Sequence, residues 1–97
     1  MIIVTGSIVA RADSAQELEA LSLAHVRRSR AEPGCVAHAV HRDVENPLRL
    51  VFVEEWTDEA ALAAHFTVPA SRAFVKAATA LAAEAPTMTV YDAIRRG

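Results

Sequence analysis

The sequence predicts one α+β domain with the element order β-α-β-β-α-α-β, a four-stranded antiparallel sheet carrying its helices on one face. Three observations lead there. Four short segments rich in β-branched or alternating apolar residues are interleaved with stretches of helical period. The breakers Pro33-Gly34, Asn46-Pro47 and Pro86 fall between those segments, and Pro69 falls at the start of one. The chain has 97 residues, which suits a single domain over 1–97 with no linker, repeat or low-complexity stretch.

The elements follow in order. Ile2 to Ala10 is β-branched and reads as the first strand. Asp13 or Ser14 offers a helix N-cap, with Gln16 or Glu17 as the capping-box partner. The helix predicted from there runs to about Ala31, with Leu18, Leu21, His25 and Val26 as its apolar stripe, flanked by Ser22 and Ser29. Pro33-Gly34 stops it. Cys35 to Arg42 is a strand with Val36, His38 and Val40 on one face and Cys35, Ala37, Ala39 and His41 on the other. Asp43 to Pro47 is a hairpin connection. Leu48 to Trp56 is the third strand, with Leu48, Leu50, Phe52, Glu54 and Trp56 sharing a face. Thr57 or Asp58 caps a short helix through Phe66. Pro69 opens a further helix from about Ala70 to Glu84, with Phe74, Val75, Ala78 and Leu81 as its apolar side, and Thr87 to Ala93 is the last strand. This order is the ferredoxin-like split βαβ arrangement. Helices cover one face of such a sheet, and apolar residues on the other predict a homodimer through that face.

Composition narrows the function classes. With 53% hydrophobic residues the chain is not disordered. A lone Cys35 excludes a disulfide framework and a cysteine-rich zinc site, and fits a reducing cytoplasm. No apolar run is long enough to span a membrane, and Met1 to Ala10 does not read as a signal peptide. Ten scattered basic residues against twelve acidic ones argue against a nucleic-acid partner. The three glycines, Gly6, Gly34 and Gly97, leave no phosphate-binding loop, and no spaced set of metal ligands occurs, so no metal site is expected.

The histidines and Trp56 are the informative residues. His65 shares a helix face with Ala61, Leu62 and Phe66, so its imidazole points with the apolar side chains, as a base in a dry pocket or as a buried structural histidine. Trp56, at the end of the third strand, either walls a pocket or fills the core. His25 lies on the first helix's apolar stripe, and His38 sits between Val36 and Val40, opposite in face to His41. Tyr91 offers a phenol that could orient a polar substrate. One of Glu54 and Glu55 is expected to be buried and paired with an arginine such as Arg30, Arg42 or Arg49.

The stretch from Ser29 to Val36, containing Glu32-Pro33-Gly34-Cys35, and the stretch Glu54-Glu55-Trp56 through Ala61 to His65-Phe66 resemble the antibiotic biosynthesis monooxygenase family, which includes quinol monooxygenases. The resemblance covers nearly the whole chain. It implies a dimeric α+β barrel and a cofactor-free oxygenase that acts with O2 on a small aromatic, quinol or polyketide-like phenol. His65 and Trp56 fall on the family pattern and become the expected catalytic residues, with His38, His25, Tyr91 and Phe66 as expected substrate contacts. His38 stands where relatives usually carry tyrosine. The first strand has no asparagine and no histidine lies between Val68 and Glu84, departures that argue against haem. A non-catalytic small-ligand-binding or stress-related dimer and a cofactor-free isomerase on the same scaffold are the alternative readings.

Overall fold

A computed structural model describes all 97 residues. It contains β1 (Ile2–Val9), α1 (Ala15–Ser29), β2 (Cys35–Arg42), β3 (Arg49–Trp56), α2 (Glu59–Thr67), α3 (Pro69–Leu81) and β4 (Thr87–Asp92). The strands pair antiparallel in the order β2-β3-β1-β4, the ferredoxin-like topology that the element order predicts.

Local chemistry explains where the elements begin and end. Asp58 caps α2 as expected, its carboxylate accepting from the Ala61 N–H at 2.8 Å. Ser14 does not build a capping box. Its backbone has already turned helical, and its hydroxyl donates to the Leu81 carbonyl at 2.6 Å, tying the start of α1 to the end of α3. Helix α3 stops at Leu81, three residues before the expected Glu84. Ala82 goes extended to bridge Ala10, and the Ala83 N–H donates to the Val9 carbonyl at 2.7 Å. Helix α1 ends at Ser29 rather than Ala31, and the chain then turns through Gly34, whose φ of 81° favours glycine.

The strand faces follow the period-2 reading with one correction. A bulge between Cys35 and Ala37 breaks the β2 register against β3. Cys35 therefore pairs with Trp56 and packs against the core on the helix side, while Val36, expected beside His38, is exposed.

Two apolar clusters form under the helices. One joins Ile8, Leu18, Val26, Leu50, Phe52 and Ala78, and the other joins Ile2, Val4, Trp56 and Leu62. On β3 the residue between Phe52 and Trp56 on this face is Glu54, so a polar layer separates the two clusters. The opposite sheet face is bare. Ile3, Val9, Ala37, Ala39 and Val51 are only half-buried there, Val53 is exposed, and β4 adds Thr89 and Tyr91. No helix is long and apolar enough to cross a membrane.

Candidate functional site

The polar layer gathers residues from four elements. His25 comes from α1, His38 from β2, Glu54 from β3 and His65 from α2, and all four are buried. Helical and strand periods put each on its own element's inward face. The His25 ring centroid lies 5.3 Å from that of His38 and 5.4 Å from that of His65, and His38 and His65 are 5.6 Å apart.

Each histidine is held differently. His65 Nδ1 lies 2.9 Å from Glu32 Oε1, so it donates to that carboxylate and its lone pair is left on Nε2. Arg28, in the last turn of α1, donates to Oε2 of Glu32, three residues past the helix end, at 3.2 Å and reaches His25 Nδ1 at 2.8 Å. Because a guanidinium can only donate, His25 Nδ1 accepts and the His25 proton sits on Nε2. Burial, and then the charges of His38, His65 and Arg28, push the His25 pKa down to about 3, which keeps this imidazole neutral. Phe74 of α3 stacks flat on it at 4.1 Å. His38 is the orphan. Its Nε2 lies 3.3 Å from Glu54 Oε1, but neither ring nitrogen makes an aligned hydrogen bond.

Glu54 is a buried carboxylate with a specific set of donors. The Trp56 indole N–H donates to Oε1 at 2.9 Å. Burial pushes the Glu54 carboxyl up, but His38, the Trp56 N–H and His65 together outweigh it and hold the group below the usual carboxylate range. The expected arginine partner is not present. Arg42 binds Glu19 at 2.6 Å, Arg49 lies 3.8 Å from Asp43, and Arg30 donates to the His38 carbonyl. A short strand step from Glu54 to Trp56 supplies the donor locally, so no long basic side chain has to be buried.

Beside this layer a cleft of about 620 Å³ opens between α3 and the β1–β4 edge. Gly6 and Ile8 form its floor and Phe74, Val75 and Ala78 its α3 wall, with His25, His65 and Glu54 at its polar end. The open floor has a cause in the sequence: at Gly6 a Cβ would come within 2.9 Å of the Thr87 carbonyl oxygen, so the close approach of β4 requires glycine.

The structure brings together five of the six residues expected at a site, and separates Tyr91 by face. His25, His65 and Phe66 line the cleft, and His38 lies behind Glu54, within the same cluster. Trp56 is fully buried under the histidines, its ring 4.7 Å from His65, and does not reach the cleft wall. Tyr91 pairs with Ile3 on the bare face of the sheet, away from the histidines. Glu32, Arg28 and Ser71 were missed. The three-residue spacing of His25 and Arg28 on one helical edge was the available signal for Arg28, whereas Glu32 reaches the layer from the turn after α1. Ser71, buried on α3, lies within 3.5 Å of both the Arg28 guanidinium and His65 Nδ1.

Comparison with known proteins agrees with this architecture. The sequence profile described as antibiotic biosynthesis monooxygenase matches residues 1–77. An uncharacterized protein of Synechocystis sp. is 33% identical over 90 residues; the match takes in 93% of this chain, which spans only 61% of that relative's length. A Deinococcus radiodurans protein bearing the same family's name superposes with a TM-score of 0.94 at 26% identity, covering 99% of this chain and 95% of the other. Another crystal structure under that family name gives 0.90 at 27% identity, covering 98% of this chain and all of its partner in the comparison. Sequence profile and fold agree, and the chain belongs to the antibiotic biosynthesis monooxygenase family.

Proposed function

We propose that this protein is a monooxygenase that oxidises a small electron-rich aromatic, a phenol or quinol, with O2 in the cleft beside the histidine layer. The observation that carries the reading is the Glu32–His65 dyad at the polar end of an apolar cleft. Glu32 fixes Nδ1 as the protonated nitrogen and leaves Nε2 free to accept a proton, the same orienting logic that a carboxylate gives a catalytic histidine elsewhere. His65 is the proposed proton acceptor. Trp56 holds Glu54 and stacks near His65, so it positions the site, and His25, His38 and Phe66 shape it.

Deprotonation makes the aromatic oxygen a one-electron donor to O2. Recombination of the resulting radical pair puts a peroxide on the ring, and loss of water leaves the oxidised product. A hydroquinone and O2 then become a hydroxyquinone and water, with one oxygen atom in each. The apolar walls exclude water and hold the ring near O2, the two contributions the protein makes without supplying electrons of its own. The bare sheet face completes the reading as a homodimer, a second copy covering Ile3, Val51 and Val53.

Oxygen uptake over a panel of quinols and phenols tests the activity. Wild type is expected to consume one O2 per product, with uptake falling by about 10²-fold or more in His65→Gln, the range that general-base removal gives. Binding without uptake would select a binding protein, and anaerobic exchange of deuterium into a carbonyl substrate would select an isomerase. Either result overturns the oxygenase reading.

A further inference from the structure

We propose that His25, His38 and His65 form a binding site for a divalent transition-metal ion of the zinc class. All three are buried, and one ligand nitrogen from each lies within 4.8 Å of the others. Around a zinc ion with bonds of about 2.0 Å, nitrogen ligands sit about 3.3 Å apart, so each ring has to move in by less than about 1 Å. Imidazoles suit zinc, cobalt, nickel and copper, and three protein nitrogens with one open position is a common zinc arrangement.

A second observation points to a ligand independently of that spacing. His38 is 2% exposed, with neither ring nitrogen in an aligned hydrogen bond. Buried polar atoms are almost always satisfied, yet the one polar group beside this ring is Glu54 Oε1, 3.3 Å from Nε2 and out of line, and Nδ1 has no hydrogen-bond partner. The surroundings also fit a cation. Glu32 on His65 Nδ1 is the outer carboxylate that orients a metal-bound histidine and frees Nε2. Glu54 and Glu32 supply two negative charges against the single positive charge of Arg28. The cleft lined by His25 and His65 supplies the path of entry.

Arg28 opposes the ion at one point. Ligation through His25 Nε2 moves the His25 proton to Nδ1, so the guanidinium must release that nitrogen. It keeps Glu32 at 3.2 Å and Ser71 at 3.4 Å as partners. The proposal does not rest on the oxygenase reading. An ion on His65 Nε2 takes the lone pair that proton acceptance needs, so the loaded and the proton-accepting states exclude each other.

The test reads the metal directly. Chelator-treated protein is titrated with Co²⁺ and followed by visible d–d absorption, then with Zn²⁺ by calorimetry. One ion per chain is expected. Glu32→Gln should weaken binding 10–100-fold, the range for loss of an outer-shell partner. His38→Gln and His65→Gln should weaken it further, whereas His41→Ala, on the exposed side of β2, should leave it unchanged. If His38→Gln does not fold, the wild-type melting temperature decides, since Zn²⁺ at a hundredfold excess over Kd must raise it by several degrees. No Co²⁺ spectrum, no thermal shift, or binding lost only in His41→Ala overturns the site. Quinol-driven oxygen uptake by metal-free protein is scored separately, so failure of either proposal is seen on its own.

Discussion

Trp56→Phe tests whether the polar layer is held by a specific hydrogen bond or by packing alone. Trp56 is fully buried, and its indole N–H donates to Glu54 Oε1 at 2.9 Å. Phenylalanine keeps most of the ring. Deleting a whole buried aromatic costs about 3–5 kcal/mol, so the partial loss of volume costs about 1 kcal/mol. Glu54 then stays buried and charged with one donor fewer, and a hydrogen bond to a charged group contributes about 1.5–3 kcal/mol. The sum is about 2.5–4 kcal/mol, a large part of the ~5–15 kcal/mol expected of a domain this size. Urea unfolding at constant m-value should show it, together with a melting temperature lower by more than about 10 °C. The cycle with Glu54→Leu separates the two causes, because packing loss persists without Glu54 while the hydrogen bond does not. The coupling is expected at about 1.5 kcal/mol or more. A coupling under about 0.5 kcal/mol would refute the argument, leaving the indole as filler beside an indifferent carboxylate.

Two further outcomes follow from the same geometry. Gly34→Ala should destabilise by about 2–3 kcal/mol in the same denaturation assay, because φ of 81° costs an L-residue about 1–2 kcal/mol and the new Cβ would lie 2.8 Å from Thr57 Oγ1 and against Ala61; an unchanged midpoint would show that the turn relaxes freely. The Cys35 thiol is pushed up by burial and by the charges of Glu32 and Glu54, partly offset by Arg30. Its neutral form therefore persists to higher pH than in an unfolded chain, and iodoacetamide alkylation should rise only above the ordinary thiol range near about 8.5, whereas a midpoint at or below that value would contradict the placement.

Much of the fold was legible in the residues alone. The alternation of Leu50, Phe52, Glu54 and Trp56 marked the buried face of β3, and Pro33-Gly34, Asp58 and Pro69 marked helix limits, because these signals act over a few residues. The same locality hid other features. The bulge that exposes Val36 arises from pairing with β3, and the early end of α3 arises from Ala82 and Ala83 joining the first strand's edge. His65 and His25 could be assigned inward faces from their helices, and His38 from its strand. That they meet in one polar layer, with Glu32 behind one ring and Arg28 behind another, depends on how α1 and α2 cross the sheet. Tyr91 shows the limit from the other side, since strand register alone sends its phenol to the opposite face. Periodicity reports which side of its own element a residue occupies. Which residues from different elements come within bonding distance is decided by register and packing, and those exist only in the folded chain.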